Sequence, residues 1–161
     1  MIEKESISLA TEYLNKAARF HDDGKLENAV IAYRASISIH PTAKAYTNLG
    51  IVYSLQGKLD MAIEECKKAI ELEPEYEDSY NNIGLYLISL GKEDEAIVWF
   101  EKAIEVDNDN SNCISFYHLG RIYEKKGDWM KALRNFNRAI SIDTNYEPAQ
   151  NALIKLSTLL N

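Results

Sequence analysis

Residues 46 to 62 read YTNLGIVYSLQGKLDMA, and the chain repeats the main features of this stretch. One feature is a glycine followed five residues later by an alanine. It occurs at Gly24–Ala29, Gly57–Ala62, Gly91–Ala96 and Gly127–Ala132, so the steps between the glycines are 33, 34 and 36 residues. A regular period in this range indicates a protein built from stacked structural repeats.

A second shared pattern lies upstream of each glycine. Tyr46, Leu49, Gly50 and Tyr53 are spaced i, i+3, i+4 and i+7, which places them on one face of an α-helix. Ala62 and the residues after it predict a second helix, and the glycine between the two helices supplies the positive φ of a turn. The predicted first helices are 5–22, 43–56, 77–90 and 112–126, and the second helices are 26–39, 60–72, 94–106 and 129–142.

Small residues recur where the two helices of each hairpin face each other. Gly50, Gly84 and Gly120 lie in the first helices, and alanines such as Ala62 and Ala132 lie in the second helices. Side chains of this size let two backbones approach closely, so we interpret these positions as packing contacts. Because one hairpin cannot bury its apolar stripes alone, neighbouring hairpins must share a core.

The shared positions resemble the tetratricopeptide repeat, whose pattern has an aromatic residue, Leu-Gly, Tyr, Ala, Phe, Ala and Pro over about 34 residues. The resemblance implies an all-α fold, a right-handed superhelical α-solenoid of helix-turn-helix repeats. It also implies a single domain over 1–161. The predicted copies are 10–42, 43–76, 77–112 and 113–146.

The last segment, 147–160, is predicted to form a single capping helix over the last repeat. Pro148 stands at a first-turn position, and Leu153, Leu156 and Leu160 share one face. The alternative is that these leucines dock a partner or a second copy of the chain.

Composition and charge narrow the possible partners. The formal net charge is -7, and no run of basic residues alternates with aromatic ones. We therefore expect neither nucleic acid nor a membrane surface as a partner. Without a stretch resembling a signal peptide or a membrane span, the chain is expected to be cytoplasmic.

The sequence offers no catalytic constellation. Cys66 and Cys113 lack metal-ligand spacing, and Cys66 replaces an aromatic packing residue. His21, His40 and His118 have no nucleophile or metal-ligand partner at motif spacing, and every glycine is isolated. We predict no enzyme activity, no catalytic residue, no metal and no cofactor.

The acidic, asparagine-rich stretch 107–112 superficially suggests a calcium loop. It lacks the central glycine and the closing glutamate that such a loop needs at fixed offsets. We interpret it instead as a loop whose Ser and Asn residues cap the next helix.

In a fold of this kind the first helix of each hairpin lines a concave groove. The position before Leu-Gly holds Asn15, Asn48, Asn82 and His118. In proteins that resemble this one, asparagine there binds the main chain of an extended peptide through its amide group. The alternative, which the sequence leaves open, is that these asparagines only solvate the helix face.

An apolar strip follows on the same face. Ile51, Leu85 and Ile88 fill no packing position of the repeat, and Tyr117 and Arg121 flank them. Such strips usually mark contact sites, so we expect a partner segment with an apolar anchor. The alternative is that a segment of the same chain fills the groove. The predicted function is a non-catalytic adaptor that binds a peptide segment of a protein partner of unknown identity.

The opposite surface supports a competing function. Val98 and Trp99 occupy positions that carry charged or polar side chains in other copies, so this surface or the capping helix could assemble the chain into a homo-oligomer. Trp99 could instead fold back over its own repeat. Trp129 shares a packing position with Leu26 and Leu59 and is predicted to lie in the core.

Overall fold

The computed structural model of the protein describes residues 2–107 and 111–160, which form nine α-helices and no β-strand. All nine predicted helices are confirmed, and the largest difference is that the first begins at Ile2 instead of residue 5. The helices are α1 (Ile2–Asp22), α2 (Leu26–Ile39), α3 (Ala43–Leu55), α4 (Leu59–Leu72), α5 (Glu77–Ser89), α6 (Glu93–Val106), α7 (Cys113–Lys125), α8 (Trp129–Ile142) and α9 (Glu147–Leu160).

The predicted glycine turns are confirmed. Gly24, Gly57, Gly91 and Gly127 have φ between 72° and 77°, the left-handed conformation that side chains other than glycine disfavour. In the second hairpin, the N–H of the residue after the glycine donates to the Tyr53 carbonyl at 2.9 Å. This bond satisfies a carbonyl at the end of the first helix and turns the chain into the second.

The small residues of the first helices do make close contacts. A Cβ on Gly50 would lie 2.9 Å from the Ala62 carbonyl oxygen, and one on Gly120 would lie 2.5 Å from the Cε1 atom of Phe136. Both distances are shorter than van der Waals contact, so these hairpins pack at a separation that only glycine allows.

The chain forms two compact units, Met1–Tyr86 and Leu87–Asn161. In the first unit, Tyr33, Leu49, Tyr53 and Cys66 are fully buried, which confirms Cys66 as a packing residue. Burial raises the pKa of the Cys66 thiol to about 12, and the Glu65 carboxylate adds to the effect. Hydroxyl groups link α3 to α5, since the Thr47 and Ser79 oxygens lie 2.7 Å apart.

In the second unit, α9 covers α8 as predicted for a capping helix. Leu156 is fully buried and forms one core cluster with Ala132, Phe136 and Ala152. Leu153 is half-buried against this cluster, whereas the side chain of Leu160 lies outside the described residues.

The loop before α7 provides a helix cap. The Asn112 side chain accepts a hydrogen bond from the Ser115 N–H at 2.9 Å, and the Asn112 N–H donates to Asp107 at 2.7 Å. The predicted capping role is thus confirmed for Asn112, while residues 108–110 lie outside the described part of the chain.

Candidate functional site

Four of the predicted groove residues line one cleft in the second unit. Ile88 at the end of α5, and Tyr117, His118 and Arg121 on α7, surround a volume of about 590 Å³. The cleft lies where α7 ends and α8 begins, and α9 forms a further wall. A cleft of this size that joins apolar walls to a few polar groups has the usual features of a ligand site.

Apolar side chains form much of the wall. Ile88 and Ile122 contribute from α5 and α7, Trp129 from α8, and Leu159 from α9. Leu159 is 65% exposed, so its side chain has surface available to a partner.

The prediction that Trp129 lies in the core is wrong. It is 41% exposed and lines the cleft. Trp129 is the first residue of α8, directly after its N-cap Asp128, and therefore stands at the edge of the hairpin. Leu26 and Leu59 are themselves only half-buried, so the equivalent position is not fully enclosed in the first two copies either.

Charged groups occupy the rim. The Arg121 Nε lies 3.1 Å from a carboxylate oxygen of Glu124, and an Arg121 N–H donates to the Tyr117 hydroxyl at 3.2 Å. Lys125 pairs with Glu93, and this hydrogen bond holds the pKa of the Glu93 carboxyl below its ordinary value. Both anions of the cleft therefore already have a cationic partner.

His118 contributes an aromatic, uncharged surface. Burial, reinforced by the positive charge of Arg121, lowers its pKa to about 4, so the ring is neutral near pH 7. The Tyr117 and His118 rings make a T-shaped contact with their centroids 5.0 Å apart. His118 is thus fixed in place as part of the wall.

The other predicted groove residues belong to the first unit. Asn15 is exposed on α1, Asn48 and Ile51 are half-buried on α3, and Asn82 and Leu85 are half-buried on α5. Asn48 has a polar neighbour: burial and Asp22 raise the pKa of the Tyr33 phenol, and the nearby Asn48 side chain acts in the opposite direction.

Several cleft residues escaped the sequence analysis, and Lys155 is the most informative. If α9 is aligned as the first helix of a fifth copy, Lys155 takes the position held by Ile51, Leu85 and Arg121. The signal is present in the sequence, but the prediction for 147–160 concerns its leucine face and does not assign Lys155 to the groove.

The two residues of α6 predicted to form a second contact surface, Val98 and Trp99, differ in their exposure. Val98 is 48% exposed, whereas Trp99 is half-buried, with the Lys102 ammonium 4.7 Å from the centre of its ring. Trp99 is therefore partly covered by its own helix, and Val98 is the more accessible of the two residues.

Within the described ranges, no group of three or more His, Cys, Asp or Glu side chains is placed to hold a metal ion. None of the helices described is both long enough and apolar enough to cross a bilayer.

Comparison with known proteins identifies related sequences. Two family profiles, both described as tetratricopeptide repeat, match residues 43–76 and 75–145, which together make up more than half of the chain. Sperm-associated antigen 1 of Rattus norvegicus is 38% identical over 74 residues, and that of Homo sapiens is 36% identical over the same length. Each match covers 46% of this chain and 8% of the relative, so the chain spans under a tenth of those proteins.

Solved structures show the same fold. PilF of Pseudomonas aeruginosa has a TM-score of 0.84 at 20% identity, covering 96% of this chain and 68% of that one. A MamA structure has a TM-score of 0.76 at 23% identity, covering 92% and 80%. YrrB, described as a tetratricopeptide repeat protein with an unusual peptide-binding site, has a TM-score of 0.72 at 23% identity, covering 90% and 74%. At these identities the likeness shows the fold alone.

Proposed function

We propose that this chain, which belongs to the tetratricopeptide repeat family, captures a segment of another protein in the cleft of its second unit. Membership of the family makes it a protein-interaction module in general. One observation supports binding in this particular cleft. The cleft is lined by four residues that the sequence predicts to lie in the groove, namely Ile88, Tyr117, His118 and Arg121.

The composition of the cleft supports binding without catalysis. Its described lining residues include no serine or cysteine that could act as a nucleophile. His118, which is the usual type of general base, is half-buried, stacks on Phe100 and makes a T-shaped contact with Tyr117, and partial burial favours its neutral form. We therefore propose an adaptor that performs no chemistry and uses no cofactor.

The first unit has its own proposed role in binding. Asn15, Asn48 and Asn82 have amide groups that can pair with a peptide main chain, and Ile51 and Leu85 can contact an apolar side chain. Because the Asn48 side chain lies near the Tyr33 phenol, Asn15 and Asn82 are the asparagines for which this role is simplest.

Self-assembly is the competing function. Val98 on α6 and Ile154 on α9 are exposed apolar side chains, 48% and 64% accessible, and could meet a second copy. Light scattering of the purified chain tests this directly. A concentration-dependent dimer that Val98→Glu or Ile154→Glu dissociates would support self-assembly.

Site-specific photo-crosslinking tests the proposed cleft. A benzophenone side chain is placed at Leu159 in one variant and at Val98 in another, since both positions are exposed and on the same unit. Extracts of the native host are then irradiated with each variant. We expect discrete protein adducts from position 159 that Arg121→Glu removes. Adducts from position 98 alone would contradict the proposal.

A further inference from the structure

We infer, resting on the proposed function, that the cleft of the second unit accepts an acidic segment that carries a large apolar side chain. The partner is thus defined by chemistry, as a peptide segment with carboxylates beside an apolar anchor. Charge and position of the lining residues support this choice over a basic or uncharged segment.

The charges of the cleft leave one cation without a counterion. Arg121 pairs with Glu124, and Lys125 pairs with Glu93. Lys155 makes no ion pair with any carboxylate in the described residues. The cleft therefore has a surplus positive charge on a protein whose formal net charge is -7.

Two of the positive charges of the cleft lie at one equivalent position of the repeat. The position after Leu-Gly is apolar at Ile51 and Leu85 and becomes cationic at Arg121 and Lys155. Arg121 and Lys155 also line a second, adjoining cleft of about 320 Å³ together with Tyr117 and Glu124, whose carboxylate is paired with Arg121. A carboxylate between these clefts would meet the Lys155 ammonium beside the Arg121–Glu124 ion pair, and hydrogen bonds with charged groups are among the stronger ones.

The apolar residues of the cleft explain why the bound segment should also carry a large apolar side chain. Trp129, Ile122 and Leu159 form a wall close to these cations. Burial of a leucine-sized side chain there removes apolar surface from water and so favours binding. A basic segment would gain the same burial, but it would bring a like charge to Lys155 and find both cleft carboxylates already paired.

Tryptophan fluorescence provides a direct assay. The chain has two tryptophans, so a Trp99→Phe background leaves Trp129 as the sole reporter inside the cleft. Three short capped peptides of equal length serve as probes: leucine flanked by aspartate and glutamate, the same peptide with serine for leucine, and leucine flanked by lysine. We expect the acidic leucine peptide to bind at least about tenfold more tightly than either other peptide.

Charge reversal then tests the role of Lys155. Lys155→Glu should weaken binding of the acidic leucine peptide by about tenfold or more and should raise the affinity for the lysine peptide. Lys44→Glu is the matched control, because Lys44 is an exposed lysine of the first unit. It makes the same change in net charge and should leave both affinities unchanged.

The outcomes separate this inference from the proposed function. If the lysine peptide binds as well as the acidic one, or if Lys155→Glu leaves the preference unchanged, the inferred partner chemistry is wrong while the cleft still binds peptides. If none of the peptides alters Trp129 fluorescence and a wider peptide array also gives no binder dependent on Arg121, both proposals fail.

Discussion

The imidazole ring of His118 stacks on the ring of Phe100, with centroids 5.3 Å apart and planes inclined by only 11°. Phe100 is fully buried, so the stack holds His118 against the core of the second unit. His118 occupies the position that asparagine takes in the earlier first helices, and it replaces an amide with a flat, neutral ring.

This stack predicts a pH-dependent stability. The pKa of His118 is about 4 in the folded protein and about 6.5 in an unfolded chain, so the unfolded state takes up the proton first. Stability is therefore complete above pH 6.5 and falls as the pH drops toward 4, by on the order of 3 kcal/mol from this group. The measurement is urea unfolding at several pH values.

His118→Phe provides the matched comparison, because phenylalanine can keep the stacking on Phe100 and cannot be protonated. Carboxylates contribute equally to the acid dependence of both proteins. We expect the parent to lose more stability than the variant between pH 7 and pH 5. Parallel curves for the two proteins would show that His118 is not held neutral by burial.

The two leucines of α9 should separate stability from binding. Leu156 is fully buried in the cluster around Phe136, so Leu156→Ala should lower the free energy of unfolding by about 2 to 5 kcal/mol. Leu159 is 65% exposed and faces the cleft, so Leu159→Ala should change stability by only about 0.5 kcal/mol. Thermal unfolding of both variants is the measurement, and equal melting temperatures would contradict the capping role of α9.

The hairpin turns and close contacts were predictable because they depend on local geometry. A glycine at a fixed offset from an apolar helix face predicts both a left-handed turn, as at Gly57, and a backbone contact, as at Gly50. Each copy of the repeat needs the same turn and the same close contact, so the prediction is supported by four copies even though each one is imperfect. The helix bounds followed from the same periodicity.

The cleft was only partly predictable, because its walls come from helix ends and from the cap. Trp129 matched a leucine packing position, but its exposure depends on the space left by neighbouring helices. The proximity of Asn48 to the Tyr33 phenol involves residues of successive copies, and no pattern within one copy indicates it. Lys155 corresponds to Arg121 only in an alignment of α9 with the first helices, and α9 lacks the Leu-Gly pair that marks that position.

Gly120 should tolerate no side chain unless Phe136 is made smaller. Gly120→Ala places a Cβ 2.5 Å from a fully buried ring, and overpacking of this kind typically costs about 1 to 3 kcal/mol. A double-mutant cycle with Phe136→Leu should recover part of that cost, because the leucine side chain leaves the contact. The measurement is chemical denaturation of the single and double variants.

Gly127→Ala is the control for this cycle. Its Cβ would meet no atom within 4 Å, but its φ of 77° strains any other residue. It should destabilise by about 1 to 2 kcal/mol, and Phe136→Leu should not relieve that loss. If the cycle shows no coupling at Gly120, the close-packing interpretation is wrong.

The asparagines of the predicted groove should differ in their contribution to stability, with Asn48 contributing more than the exposed Asn15. Burial raises the pKa of the Tyr33 phenol, and the Asn48 side chain acts in the opposite direction, so the amide of Asn48 lies near a fully buried residue. Asn48→Ala should therefore lower the free energy of unfolding by about 1 kcal/mol or slightly more. Asn15→Ala, on an exposed position of α1, should shift it by no more than about 0.5 kcal/mol.

A Tyr33→Phe background identifies the cause of the Asn48 effect. Without the phenol oxygen, Asn48→Ala should cost distinctly less than it does in the parent, whereas the small effect of Asn15→Ala should stay the same. Urea denaturation of the four combinations gives the coupling free energy. An Asn48→Ala effect that is equal in both backgrounds would show that Asn48 is not held by Tyr33, and would leave its amide available to a bound main chain, as the sequence first suggested.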